Sequence, residues 1–124
     1  MKHTLKHFFV AAVMLLSVSV FAQDKATEGA KIVTANMKEQ LTLNDSQYTK
    51  VLEINKSFLQ KALDIKATTV TKAEKVKKLR VINDERETKL KSVLTDDQYK
   101  IYAANRAANR QKLREHYMEK HESE

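Results

Sequence analysis

The hexapeptide Leu43-Asn44-Asp45-Ser46-Gln47-Tyr48 returns 51 positions later as Leu94-Thr95-Asp96-Asp97-Gln98-Tyr99, and this repeat constrains the fold more than any other feature of the chain. Each copy is built as a helix start. Asn44 and Thr95 are N-cap residues whose side-chain oxygens can accept from free amides of the first turn. Gln47 and Gln98 stand at N3, where they can reach back to the N-cap N–H and complete a capping box. Leu43 with Tyr48, and Leu94 with Tyr99, occupy the two positions of a hydrophobic staple, and Asp45, Asp96 and Asp97 suit the positive end of a helix dipole. Thr71-Lys72-Ala73-Glu74 reads as a third box, without a staple because Lys75 follows. Capping alone accounts for all of these residues without any function. With three such starts, one glycine and no proline, the chain is expected to be helical nearly throughout.

The expected fold class is all-α, with four helices. The first runs from about Lys25 to Gln40, carrying Ile32, Val33 and Met37, with Gly29 weakening its start. The second, about Asp45 to Thr68, has an apolar arc wider than one packed seam needs. Leu52, Leu59 and Leu63 mark one side of that arc, while Ile54, Phe58 and Ile65 mark the other. Part of it is therefore expected to face something beyond the chain's own core. The third, about Lys72 to Val93, has a thin stripe of Val76, Leu79, Ile82, Leu90 and Val93, interrupted by Asn83 and Arg86. The fourth, about Asp96 to Met118, aligns Tyr99, Tyr102, Ala103, Arg106, Arg110, Leu113 and Tyr117, so that two arginines share its apolar side. The short connection at Leu94 and Thr95 predicts a sharp bend, and that at Ala67 to Thr71 a tighter hairpin. Long helices joined in this way enclose little volume, and their apolar faces invite pairing with a second copy through a two-fold interface.

Residues 1–22 read as a secretory signal: Lys2 and Lys6 precede the apolar run Phe8 to Val20, and Val20-Phe21-Ala22 fits a cleavage site after Ala22. The run is too short for a membrane span, which needs about 20 apolar residues. With no cysteine in the chain, lipid attachment and disulfides are excluded. Residues 23–124 then form one exported helical domain. Without Lys2 and Lys6, 21 basic residues stand against 16 acidic ones, a net charge of +5 that draws anionic partners. Nucleic acid is not among those expected, because the charges are not interleaved with stacking aromatics.

The paired motif Leu43-Asn44-Asp45-Ser46-Gln47 and Leu94-Thr95-Asp96-Asp97-Gln98, in an exported helical chain of this length, resembles the LTxxQ family of periplasmic proteins, the Spy/CpxP-like chaperones and envelope-stress regulators. The second copy fits the family pattern fully, and the first has Asn in place of Thr. The resemblance covers roughly Leu41 to Glu119. It implies an antiparallel, cradle-like homodimer in the periplasm that binds unfolded or partly folded clients without ATP during envelope stress. It also allows two alternatives: a regulator docking on the periplasmic sensor domain of a membrane kinase, or a metal-responsive envelope protein. On the chaperone reading, a client would lie on the edge formed by Ile54, Phe58 and Ile65, while Lys61, Arg106 and Arg110 attract its acidic groups.

No cofactor is expected. His116 and His121 near Glu115, Glu119, Glu122 and Glu124 are the weak metal candidates, since a five-residue separation sets the two imidazoles about 140° apart on a helix. The doubled Ala-Ala-Asn-Arg at residues 103–110 stacks two arginines one turn apart, and their stems are expected to cover apolar surface. Ser46, Ser57 and Ser92 have no histidine nearby in sequence, and one glycine cannot build a phosphate cradle. The chain is therefore read as a protein-binding module and not an enzyme.

Overall fold

A computed structural model of the chain describes residues 24–122, with the side chains of residue 113 and of residues 116 onward outside the description. The expected signal at residues 1–22 and the side chains of His116 and His121 thus lie outside it. Among the described residues the chain is all-α, with four helices: α1 (24–41), α2 (Asp45–Ala67), α3 (Lys72–Val93) and α4 (Asp96–Glu122). The fourth helix continues a full turn past the expected end at Met118. No described helix is long and apolar enough to cross a membrane.

The helix starts follow the capping chemistry. Asn44 is extended (φ −76°, ψ 172°), its Oδ1 accepts from the Gln47 N–H at 2.8 Å, and Gln47 Oε1 accepts from the Asn44 N–H at 3.2 Å. The second box is complete in the same way, at 3.2 Å from the Gln98 N–H to Thr95 Oγ1 and 2.9 Å from the Thr95 N–H to Gln98 Oε1. The third is only half a box: Thr71 Oγ1 accepts from the Glu74 N–H at 3.2 Å, with no return bond from the Glu74 side chain. Of the two staples, Tyr99 packs against the cluster that contains Leu94. The Tyr48 ring instead carries the Lys38 ammonium 5.2 Å from its centroid. At the end of α1, Thr42 takes a left-handed conformation (φ 52°) and the Leu43 N–H returns to the Lys38 carbonyl at 3.3 Å. This is the αL stop that usually recruits glycine.

The two boxes meet. Gln47 Nε2 donates to Gln98 Oε1 at 2.7 Å and to the Val93 carbonyl at 3.2 Å, while Gln98 Nε2 donates to Gln47 Oε1 and to the Leu41 carbonyl, each at 3.2 Å. Each glutamine therefore caps the start of its own helix and the end of the helix that leads into the other box. Around this vertex lies the main core of Val33, Met37, Leu41, Leu43, Val51, Leu90, Leu94 and Tyr102. The bonds Lys61 to Glu85 (3.0 Å) and Lys75 to the Lys66 carbonyl (3.0 Å) make α2 and α3 an antiparallel hairpin. Those from Lys112 to Asn36 (3.3 Å) and from Gln98 to Leu41 set α4 beside α1. A second cluster joins Ala26 and Ala30 of α1 to Leu59, Leu52, Phe58 and Leu63 of α2. Gly29 is buried on the same turns. In contrast, no residue from 60 to 83 is buried, so the α2–α3 hairpin reaches well past the core.

Two predictions test this account. Thr42→Gly is expected to raise stability by about 0.5–1 kcal/mol, the relief of left-handed strain less the added chain entropy of glycine. A higher urea midpoint at unchanged slope is the readout. Gln47→Ala and Gln98→Ala are each expected to cost about 1–2 kcal/mol, and the double variant less than their sum because the two amides share bonds. Strict additivity would show that they act separately.

Candidate functional site

The structure divides the apolar arc of α2 among three surroundings. Leu59 is buried against α1, with Leu52 and Leu63 beside it, and Ile54 packs on the main core. Phe58 is partly buried and stacks beneath the Arg86 guanidinium, 4.9 Å from its ring centroid. Ile65 alone of the Ile54, Phe58 and Ile65 edge opens on a shallow outer groove, of 390 Å³, lined by Lys61, Asp64, Ile65, Lys78, Val81 and Ile82. Ile54, Phe58 and Lys61 line a narrow seam between α2 and α3 with Ile82, Glu85 and Arg86, and the seam shares Lys61 and Ile82 with the outer groove. Val81 in the groove is 59% exposed, and Val76 of α3 is exposed as well. Lys61 at its rim pairs with Glu85, but both side chains are about half exposed (47% and 48%), so the ammonium stays within reach of other anions.

On the inner side, polar groups connect all four helices. Asn55, 1% exposed, donates to Thr34 Oγ1 at 3.0 Å and lies 3.5 Å from Met37 Sδ, while its Oδ1 accepts from Arg86 Nε at 3.0 Å. Glu87 accepts from the Tyr99 hydroxyl (3.0 Å), the Tyr102 hydroxyl (3.1 Å) and Arg106 Nη2 (2.9 Å). Burial, with help from the Glu87 charge, raises the Tyr102 phenol above its ordinary value, which keeps it a neutral donor. Burial lowers the Arg86 guanidinium from its ordinary value, against the opposing pull of Tyr102 and Glu87 and with a smaller push from Arg110 and Arg106. Beneath this network is a 380 Å³ cavity lined by residues of every helix: Val33, Phe58, Leu79, Arg80, Asn83, Arg86, Tyr102, Arg106, Asn109 and Arg110.

Of the expected client-facing cations, Lys61 therefore lies at the outer groove, Arg106 is committed to Glu87, and Arg110 is exposed at the inner cavity. The outer groove and the inner cavity share no lining residue, and the seam that holds Ile54, Phe58 and Lys61 lies between them. Sequence reasoning missed Asn55, Glu87 and Asn109. Asn55 falls midway between buried Val51 and Leu59 at four-residue steps, and a polar residue in the middle of an apolar stripe was the available signal. Asn109 follows Tyr102 and Arg106 on one face of α4, yet it looks identical to Asn105 in the doubled Ala-Ala-Asn-Arg unit. Only Asn109 is buried. Among the described residues no group of three or more His, Asp or Glu could hold a metal ion.

The ion pairs Lys61–Glu85 and Arg106–Glu87 differ in burial, and so do their expected contributions. Glu87→Gln leaves three donors facing an amide in a site where the carboxylate is 15% exposed, and is expected to cost about 2 kcal/mol. Glu85→Gln, in the exposed pair, is expected to stay within about 0.5 kcal/mol of the parent. Urea denaturation of both variants reads the difference, and equal costs would contradict the hub assigned to Glu87.

Neither a curated protein nor a solved structure matches the chain. A model of the family described as Domain of unknown function (DUF4890) matches residues 20–102, more than half of the sequence, and the chain belongs to that family.

Proposed function

We propose that this protein is an ATP-independent chaperone of the cell envelope that holds unfolded or partly folded polypeptides, without catalytic chemistry of its own. The observation that carries the reading is the outer groove of the α2–α3 hairpin, where Ile65, Val81 and Ile82 form an apolar floor between Lys61 and Lys78. A flexible segment needs no shaped pocket. It needs apolar surface for its exposed side chains and scattered charge that speeds encounter and is weak enough to release. The groove supplies both on an arm with no buried residue between positions 60 and 83, so the surface is not consumed by the chain's own core. The paired Leu-x-x-x-Gln boxes and the apolar leader at residues 1–22 support the same reading through their resemblance to LTxxQ proteins. A second copy paired through the exposed faces of α3 would extend the groove into a two-fold cradle.

Aggregation of a chemically unfolded model protein, followed by light scattering without ATP, is the test. The parent is expected to suppress scattering near one dimer per client. Ile65→Ser/Val81→Ser is expected to weaken client binding by about thirtyfold, since each aliphatic side chain contributes on the order of 1 kcal/mol to a covered interface. Full suppression by the doubly substituted protein, at unchanged helicity, would remove the groove from the account. No suppression by the parent would overturn the chaperone reading itself.

A further inference from the structure

The inner cavity is charged in a way that the fold does not need. Four arginines line it, Arg80, Arg86, Arg106 and Arg110, and among them only Arg106 has a carboxylate partner within the described residues. Arg86 is held in place by a neutral acceptor, Asn55 Oδ1, and by the faces of Phe58 (4.9 Å) and Tyr102 (6.0 Å). Aromatic faces and an amide oxygen attract a guanidinium but do not neutralise it, and the one carboxylate whose charge reaches Arg86, Glu87, is bonded to Arg106 and not to Arg86. Asn109 adds an independent sign. It is 6% exposed, it lines the same cavity, and neither its amide nitrogen nor its amide oxygen has a hydrogen-bond partner. Arg106 Nε is likewise buried and unpartnered. Buried polar atoms are nearly always satisfied, so the unmet donors Asn109 Nδ2 and Arg106 Nε, on two residues that line one cavity, call for an acceptor, while Asn109 Oδ1 calls for a donor.

From this geometry we infer that the cavity is a binding site for a monocarboxylate carried on a short apolar or aromatic group. The forked guanidinium matches the two oxygens of a carboxylate, and Asn109 Nδ2 and Arg106 Nε supply further donors. Val33, Leu79, Phe58 and Tyr102 make most of the remaining wall apolar, which suits a hydrocarbon or aryl body better than a hydrated phosphate dianion. At 380 Å³ the cavity is at the low end of the roughly 300–1,000 Å³ that small-molecule sites have. The site is separate from the outer groove and does not depend on the chaperone reading.

The test is a titration of the full chain with 3-phenylpropionate, followed by nuclear magnetic resonance of the Arg Nε–H and Asn side-chain amide signals. Saturable shifts at Arg86, Arg106 and Asn109, with a Kd of about 1 mM or tighter, are the expected result. Asn109→Leu keeps the branched heavy-atom shape and removes an unmet amide, so it is expected to fold, with unchanged helicity as the check, yet to bind at least about tenfold more weakly through loss of one bond to a charged group. A peptide ending in Phe with a free C-terminal carboxylate, compared with its amidated form, separates a polypeptide terminus from a free small acid as the source. Tighter binding of the free-ended peptide assigns the site to chain termini, and tighter binding of 3-phenylpropionate assigns it to small acids. Absence of shifts at these three residues, an unchanged Kd in Asn109→Leu, or binding of the amidated peptide as tight as that of 3-phenylpropionate would each overturn the inference.

Discussion

The reciprocal amide pair of Gln47 and Gln98 is the constraint on which the rest of the arrangement depends. Two helix starts and two helix ends converge there, and each glutamine satisfies groups from both kinds of terminus. Helix ends carry unsatisfied amides and carbonyls, and bringing four of them into one buried corner would be costly without partners. The repeat solves this by symmetry: one residue type at one offset serves both hairpins. Once the corner is closed, α1 must lie beside α4, and Leu41, Leu43, Leu90 and Leu94 come together as its apolar lining. The short connections on either side then leave the hairpins no freedom to choose other neighbours.

Away from the corner, the interior is held by polar groups as much as by apolar packing. Asn55 bonds to α1 and α3 at once, and Glu87 gathers three donors from α4. Such groups tolerate only one alignment of the helices, because a slip of one turn would leave each of them buried and unmet. A chain with this small a hydrophobic core gains a unique register from them. Arg86 joins the two systems, through Asn55 on one side and the Tyr102 and Phe58 rings on the other.

The helices were legible in the sequence because their signals are local. The third box sets the start of α3 at Lys72, and the second box sets its end at Val93, as the structure has it. The inner face of α4 could be read as far as Tyr99, Tyr102, Arg106 and Arg110. Periodicity assigns a residue to a face but not to a neighbour, so the meeting of Gln47 with Gln98 could not be derived from either box alone. The same limit applies to Phe58 and Ile65, which belong to one arc of α2 but line different hollows against α3. Asn55 and Asn109 were passed over because an apolar stripe is traced through its apolar members, although a polar interruption is where a helix touches something other than hydrocarbon.

The absence of buried residues between positions 60 and 83 has a consequence for motion. Local unfolding costs least where the fewest apolar contacts are lost, so the free energy of opening must fall along the α2–α3 arm from the glutamine corner to its tip. At the tip the turn is held by little more than the Thr68 N–H and hydroxyl on the Ile65 carbonyl and by Lys75 on the Lys66 carbonyl. The arm is thus an elastic element clamped at one end, and whatever lies along it experiences a compliance graded by distance from the clamp.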